Sequence, residues 1–266
     1  MKTPALILGG TGYVAGELLR LLIAHPDLEI AGILSDSQPG ESVAKAFPHL
    51  APALGDLAFC SEAQMTPLIS TLPSSALFSA APHGVSAALI DRLLKAAEAA
   101  GTTPRVVDIS ADYRYSTAEA YVAVYKHEHG APSRIKDFIC AVPEHLHSQP
   151  AKYVAHPGCF ATATLLAAVP LLTERLVTPT LFVSGITGST GSGRKPVDGT
   201  HHPVRHSDLY SYNALSHRHI PEITACAKAA SGIEADFAFV PHSGPIARGI
   251  HVTVQATLAP GINITT

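Results

Sequence analysis

The sequence predicts an α/β protein in two parts: a doubly wound dinucleotide-binding domain over residues 1–155 and a mixed α+β domain over 156–266. Three observations carry this expectation. The apolar run Ala5-Leu-Ile-Leu8 breaks into Gly9-Gly-Thr-Gly12, and a helix-periodic stretch, Tyr13–Ile23, follows. Strand-like and helix-like segments then alternate through the first half. Beyond Cys159 that alternation stops.

The first elements set the theme. Ala5–Leu8 reads as a strand, Tyr13–Ile23 as a helix, and Glu29–Leu34 as a second strand. Strand, glycine turn, helix, strand is the layout that seats a dinucleotide pyrophosphate on a helix N-terminus. The glycines fall at 9, 12 and 16 rather than in a strict G-x-G-x-x-G, so position carries more weight than spacing. After the second strand comes Ser35-Asp-Ser-Gln-Pro-Gly40. An acid there holds a ribose 2′-hydroxyl, whereas an arginine would accept a 2′-phosphate. Asp36 is such a ligand or a turn former, and Ser35 and Ser37 are donors for a phosphate. NAD and NADP both stay open.

Leu68–Leu72 reads as a further short strand. Pro82-His-Gly84 leads into the amphipathic helix Val85–Ala100, stopped by Gly101, and Arg105–Ile109 is the next strand. The polar run Ser110-Ala-Asp-Tyr-Arg114 lies just past that strand, where such sheets bind ligands.

The second half opens on His156-Pro-Gly-Cys159. Pro157 and Gly158 make a tight turn and a helix follows over about 160–175, which puts Cys159 at or just before its start. Unpaired amides and the macrodipole there favour negative charge, so a thiol is expected to have a lowered pKa and to act as a nucleophile. The plainer reading is a small packed side chain. A strand, Thr180–Ser184, precedes the loop Gly188-Ser-Thr-Gly-Ser-Gly-Arg-Lys195, a candidate anion nest with charge from Arg194 and Lys195. Five histidines, His201, His202, His206, His217 and His219, fall within nineteen residues. Their spacings match no zinc pattern and no acidic or cysteine cluster accompanies them, so no metal is expected. His217-Arg-His219 precedes Ile220-Pro-Glu222, which suits a helix start, so both histidines sit on its approach loop and can face a cleft. Strands Phe237–Val240 and Ile250–Leu258 close the sequence.

Composition narrows the function classes. The chain has 266 residues, 47% hydrophobic and 15% charged, which is globular. A formal net charge of −3 offers nothing for nucleic acid. No apolar run reaches the ~18–20 residues of a membrane span, and the start lacks the layout of a signal peptide. Four cysteines without a C-x-x-C pair fit a reducing cytoplasm.

Taken together, these motifs resemble the N-acetyl-γ-glutamyl-phosphate reductases of arginine biosynthesis, relatives of the aspartate-semialdehyde and glyceraldehyde-3-phosphate dehydrogenases. The resemblance runs over nearly the whole chain. It rests on Gly9-Gly-Thr-Gly-Tyr-Val-Ala-Gly-Glu-Leu-Leu19, Ala81-Pro-His-Gly-Val-Ser86, Val107-Asp-Ile-Ser-Ala-Asp-Tyr-Arg114 and Ala141-Val-Pro-Glu144. Its most specific parts are Pro157-Gly-Cys-Phe-Ala-Thr-Ala163, Gly188–Lys195 and His217-Arg-His-Ile-Pro-Glu-Ile223.

The resemblance implies a dinucleotide-binding domain and a catalytic, dimerising domain of the semialdehyde dehydrogenase type. It implies NADPH-dependent reduction of an acyl phosphate to an aldehyde through a Cys159 thioester, with His219, or else His217, as acid/base. Gly9, Thr11, Gly12, Tyr13 and Val14 would hold the pyrophosphate, with Ser35, Gly188 and Ser189 as further cofactor contacts. Arg114, Arg194, Lys195 and Glu222 are the implied substrate contacts, and a cytoplasmic dimer or tetramer the implied assembly. In three places the sequence departs from the family. His156 stands where asparagine is usual, and Asp36 where arginine is common. The family also continues past residue 266, so this reading expects a fragment. The alternatives are the carrier-protein-linked aminoadipyl-phosphate reductase of lysine biosynthesis and a non-catalytic dinucleotide sensor.

Overall fold

The computed structural model describes residues 2–146 and 151–263. The chain divides into two compact units, Met1–Cys140 with Pro150–His156, and Ala141–Gln149 with Pro157–Thr266. Residues 141–146, which the sequence reading placed in the first part, group with the second, and His156, placed in the second, groups with the first.

The first unit follows the alternation in the sequence. Its elements are β1 (Thr3–Leu8), α1 (Tyr13–Ile23), β2 (Leu28–Leu34), the short α2 (Val43–Ala46) and α3 (Ala51–Leu54), and α4 (Glu62–Thr71). Then come β3 (Ser74–Ser79), α5 (Ser86–Ala100), β4 (Thr103–Asp108), α6 (Ala118–Tyr125), β5 (Ile139–Cys140) and β6 (Tyr153–Ala155). The strands form a six-stranded sheet, β2-β1-β3-β4-β6-β5, with every pairing parallel. Ala5–Leu8 of β1 are all fully buried, as a strand covered on both faces requires. Leu6 and Leu8 pack with Met65 and Ile69 of α4 and Leu93 of α5, while Ala5 and Ile7 pack with Leu19 of α1 and with Phe47. Helices thus cover both faces, which makes the sheet doubly wound.

The expected strand at Leu68–Leu72 is corrected by this structure, because those residues fall at the end of α4. Ser61 and Gln64 form a reciprocal capping box that starts the helix. Met65 and Ile69, four apart, are its buried residues. The apolar run was one face of a helix, and the strand begins after it at Ser74.

Past the C-terminal end of β4 the polar run Ser110–Arg114 is buried in a hydrogen-bonded network. The Asp112 carboxylate accepts from the amides of Gly84 (2.8 Å) and Ala87 (3.0 Å) and from the Tyr121 hydroxyl (3.0 Å). It therefore caps the start of α5 from a distant loop, where an anion is favoured. Asp108 accepts from the Ser86 and Ser110 hydroxyls, both at 2.7 Å. Its complete burial still pushes its pKa up to about 6. The Arg114 guanidinium is also buried here, donating to the carbonyls of His156 (2.9 Å) and Ile109 (2.8 Å).

The second unit holds α7 (Cys159–Thr173), β7 (Val177–Thr187), the single turn α8 (His202–Arg205), β8 (Tyr210–Ser211), α9 (Ile220–Ser231), β9 (Asp236–Ser243) and β10 (Ile250–Leu258). Its sheet is mixed, in the order β10-β7-β9-β8, with β7 and β9 parallel and the other pairs antiparallel. α7 buries Phe160, Leu165, Val169 and Leu172, and packs against α9 and the sheet. Gly185 in β7 allows this, since a Cβ there would lie 2.6 Å from the Phe160 ring.

Asp112→Ala should leave the buried Ala87 amide in the first turn of α5 and the half-buried Gly84 amide just before it unanswered, and lower stability by on the order of 3 kcal/mol. Urea denaturation checks this, and an unchanged midpoint would contradict the capping role.

Candidate active site

The turn between β1 and α1 is built for close approach. Gly9 has φ +73°, and a Cβ on it would lie 2.6 Å from the carbonyl of Ala80. A Cβ on Gly10 would strike Ile33 at 2.5 Å, and its amide donates to the carbonyl of Leu34 at 2.8 Å. Gly12 differs: a Cβ there would meet nothing within 4 Å. It is the N-cap of α1, and no side chain caps this helix. A cavity of about 360 Å³ opens at this point, lined by Gly9, Thr11, Gly12, Ser35, Asp36 and their neighbours. Bare first-turn amides facing a space free of side chains fit a dinucleotide pyrophosphate. Tyr13 and Val14 form the exposed first turn of α1 rather than the cavity wall. Ser35 is buried, and its Oγ accepts from the amide of Gln38 at 3.2 Å, so it shapes the loop.

The start of α7 is built differently. Cys159 is the first residue of the helix and Gly158 its N-cap. Of the four cysteines, it alone is exposed. Gly158 has an ordinary φ of −59°, so it is not needed for backbone freedom. It is needed for space: a Cβ there would sit 2.5 Å from His219 Nε2 and 2.7 Å from Glu222 Oε1. The Gly158 amide donates to that same carboxylate oxygen at 2.8 Å. Glu222, almost fully buried in the first turn of α9, thus ties the start of α9 to the turn that presents Cys159.

His219 is the N-cap of α9, and Pro221 follows inside its first turn. The His219 amide donates to His217 Nδ1 at 3.1 Å. A ring nitrogen that accepts cannot carry the proton, so neutral His217 bears it on Nε2. The His217 ring stands edge-on to Phe160 (5.8 Å), Phe239 (5.4 Å) and Tyr212 (5.6 Å), and 4.7 Å from the ring of His219. That burial pushes its pKa down to about 4, and the neighbouring Arg218 charge adds to the effect. Tyr212 is pushed up, first by burial and then by the Cys159 charge.

Cys159, His217 and His219 share one cavity of about 610 Å³ with Tyr212, Asn213 and Arg218. The glycine–serine loop contributes Gly191 and Ser192 to its wall. The other proposed loop contacts lie elsewhere. Gly188 stands against the backbone of Ala247 and Arg248, and Ser189 Oγ accepts from Arg205 Nε at 2.9 Å. Arg194 and Lys195 are exposed and do not line the cavity, and Arg114 serves carbonyls of the first unit. Arg218, Tyr212 and Asn213 were not singled out in the sequence. The signal for Arg218 was its place between the two histidines. Asn213 has φ +46°, a left-handed conformation beside the cavity mouth. Among the described residues no group of three or more metal-ligating side chains comes together.

The chain matches a family model for the NAD binding domain of semialdehyde dehydrogenases over residues 4–153, and one for their dimerisation domain over 159–266. It is 39% identical over 257 residues to N-acetyl-gamma-glutamyl-phosphate reductase of Pseudomonas putida (strain W619), covering 95% of this chain and 72% of that protein. The Azotobacter vinelandii (strain DJ / ATCC BAA-1303) protein of the same name is likewise 39% identical, with the same coverage. Among solved structures, the chain resembles aspartate semialdehyde dehydrogenase II of Vibrio cholerae, with a TM-score of 0.65 and 13% identity over 97% of this chain and 75% of that one. The Candida albicans aspartate semialdehyde dehydrogenase with NADP gives a TM-score of 0.60 at 16% identity, over 100% of this chain and 74% of that one.

Two outcomes follow for the site. If Cys159 and His219 act together, Gly158→Ala should lower kcat by on the order of tenfold or more, because a misplacement of about 1 Å between reacting groups is felt that strongly. Full activity in that variant would contradict the close packing of Gly158, His219 and Glu222. His217 should stay neutral as pH falls from 8 to 5 and protonate only near 4. Because its folded pKa is depressed, its contribution to stability is full above about 6.5 and is lost as pH falls toward 4. Following its ring protons by NMR checks this, and titration near 6.5 would contradict it.

Proposed function

The chain belongs to the semialdehyde dehydrogenase family, with N-acetyl-γ-glutamyl-phosphate reductases as its relatives, and from that premise we infer a step of arginine biosynthesis. It reduces N-acetyl-γ-glutamyl phosphate to N-acetylglutamate 5-semialdehyde with NADPH, releasing phosphate. The observation that carries this reading is an exposed cysteine at the first residue of a helix, sharing a cavity with His219.

The residue roles are our proposal. The α7 dipole favours the anionic form of the Cys159 sulfur, because the residue opens the helix, where unpaired amides leave a partial positive charge. That sulfur attacks the acyl carbon, a C–S bond forms, and the C–O bond to phosphate breaks with its electron pair on the departing phosphate. A nicotinamide dinucleotide, when bound, would supply the hydride for the resulting thioester carbon. His219 donates a proton to the oxygen as the thiohemiacetal forms, and takes it back as the C–S bond breaks and the aldehyde leaves. His217 is unsuited to that exchange: its Nδ1 is occupied by the His219 amide and the ring resists protonation. It acts as a neutral donor through Nε2 and as a wall that orients His219. Arg218 is the cation on the cavity wall and the candidate partner for the substrate phosphate or carboxylate. Glu222 is a positioning residue, since its Oε1 is engaged by the Gly158 amide.

At the dinucleotide turn, Gly9 and Gly12 clear the approach and the α1 amides take the pyrophosphate. A match to a dimerisation domain supports an oligomer, and we propose a homodimer or a tetramer built from it. No helix among the described residues is long and apolar enough to cross a membrane. We place the reaction in the cytoplasm, in keeping with four cysteines that form no C-x-x-C pair.

Cys159→Ser should cost on the order of 10³-fold in rate or more, because a serine in that place lacks the acidity of a thiol. His219→Gln should cost about 10²–10⁴-fold, as expected for loss of a general acid/base, and His217→Gln less than His219→Gln. NADPH oxidation followed with acyl phosphate as substrate reads all three. Turnover by Cys159→Ser at the parent rate would overturn the thioester route, and a larger loss from His217→Gln than from His219→Gln would reverse the two histidine roles.

A further inference from the structure

β2 ends at Leu34, and the next three residues, Ser35, Asp36 and Ser37, line the same cavity as Gly9 and Gly12. In a doubly wound sheet this is where the adenosine ribose lies, so the groups here read its 2′ position. The loop is shaped by its own serines. Ser35 Oγ accepts from the amide of Gln38 at 3.2 Å and lies 3.3 Å from Ser37 Oγ. Asp36 is thus an exposed carboxylate between two hydroxyl groups at the cavity rim.

No lysine or arginine is among the described residues that line this cavity. Two cations lie near the loop, and each is already held. Arg92 makes paired hydrogen bonds to Glu62 at 2.6 and 2.8 Å; that carboxylate chiefly keeps it charged, with a lesser contribution from Asp36. Lys45 is 2.8 Å from Glu41. Each cation is thus countered by its own carboxylate, and Glu62 or Glu41 would stand near a 2′-phosphate that either one approached. A 2′-phosphate, with about −1.5 to −2 charges near neutral pH, would also meet Asp36 directly. A 2′-hydroxyl would instead donate to the Asp36 carboxylate.

We propose that Asp36 fits the adenosine end of this site to an unphosphorylated ribose, so that the chain uses NADH alongside NADPH. This rests on the dinucleotide-dependent reductase reading and deepens it at the cofactor's far end. Asp36 is the specificity-determining residue, and Ser35 and Ser37 hold its loop.

Calorimetric titration of NAD⁺ and NADP⁺ into the full chain reads the preference without turnover. The wild-type protein should bind NAD⁺ within about tenfold of NADP⁺, or more tightly, a difference of no more than ~1.4 kcal/mol. Asp36→Arg should move the ratio toward NADP⁺ by about tenfold or more. Asp36→Asn should move it the same way by less, since it removes the charge without adding a cation. Lys45→Ala and Arg92→Ala should leave the ratio in place. A wild-type preference for NADP⁺ well beyond tenfold would overturn the proposal. So would an unmoved ratio in Asp36→Arg and Asp36→Asn with both variants melting like wild type, or a loss of NADP⁺ affinity in Lys45→Ala or Arg92→Ala. Binding of neither nucleotide would overturn the dinucleotide reading itself, which separates that failure from a failure of Asp36.

Discussion

The hydrogen bond from the Gly158 amide to the buried Glu222 carboxylate is the contact on which the catalytic arrangement depends. It joins two helix starts within one unit: α7, which presents the cysteine, and α9, which presents the histidine. Position 158 leaves no room for a side chain, because the His219 ring edge and the Glu222 oxygen both crowd the point a Cβ would occupy. Without the glycine the two helix starts could not come this close. Without the acid, the Gly158 amide would lose a charge-assisted bond worth more than a neutral one.

Several of the longer helices differ in what meets their first amides. α4 begins with the Ser61 capping box, α6 with the Thr117 hydroxyl accepting from the amide of Ala120, and α5 with the Asp112 carboxylate brought from another loop. α1 and α7 begin with Gly12 and Gly158, and no side chain caps either of them. Both leave first-turn amides to an anion that the chain does not supply as a cap. At α1 the candidate anion is a pyrophosphate, and at α7 it is the sulfur of Cys159. In our proposal the same physics serves cofactor binding in one unit and nucleophile activation in the other.

Much of this was legible in the sequence because it is local. Pro-Gly before Cys159 and an apolar run after it placed the cysteine at a helix start, and Ile220-Pro-Glu222 placed the two histidines just before another. What could not be read depends on contacts between distant segments. Arg114 looked like an anion ligand because it follows a strand, yet its guanidinium is buried and donates to the carbonyls of Ile109 and His156. Arg194 and Lys195 were chosen for their glycine-rich loop, but the turn Ser189–Ser192 brings Gly191 and Ser192 to the cavity instead. Glu222 proved to be bonded to Gly158, 64 residues away, and sequence spacing carries no trace of that. Leu68–Leu72 failed for a different reason: a short apolar run has no period long enough to tell strand from helix. The capping residues ahead of it at Ser61 and Gln64 held the missing signal.

The central claim, a covalent route through Cys159, is tested most directly by withholding the reductant. The chain is mixed with N-acetyl-γ-glutamyl phosphate in the absence of any dinucleotide, quenched in acid, and its peptides are weighed. The account predicts an acyl group on the peptide that carries Cys159, formed together with a stoichiometric burst of phosphate and removed when NADPH is added before the quench. A protein that turns over with NADPH, yet shows neither burst nor adduct at Cys159 without it, would contradict the account.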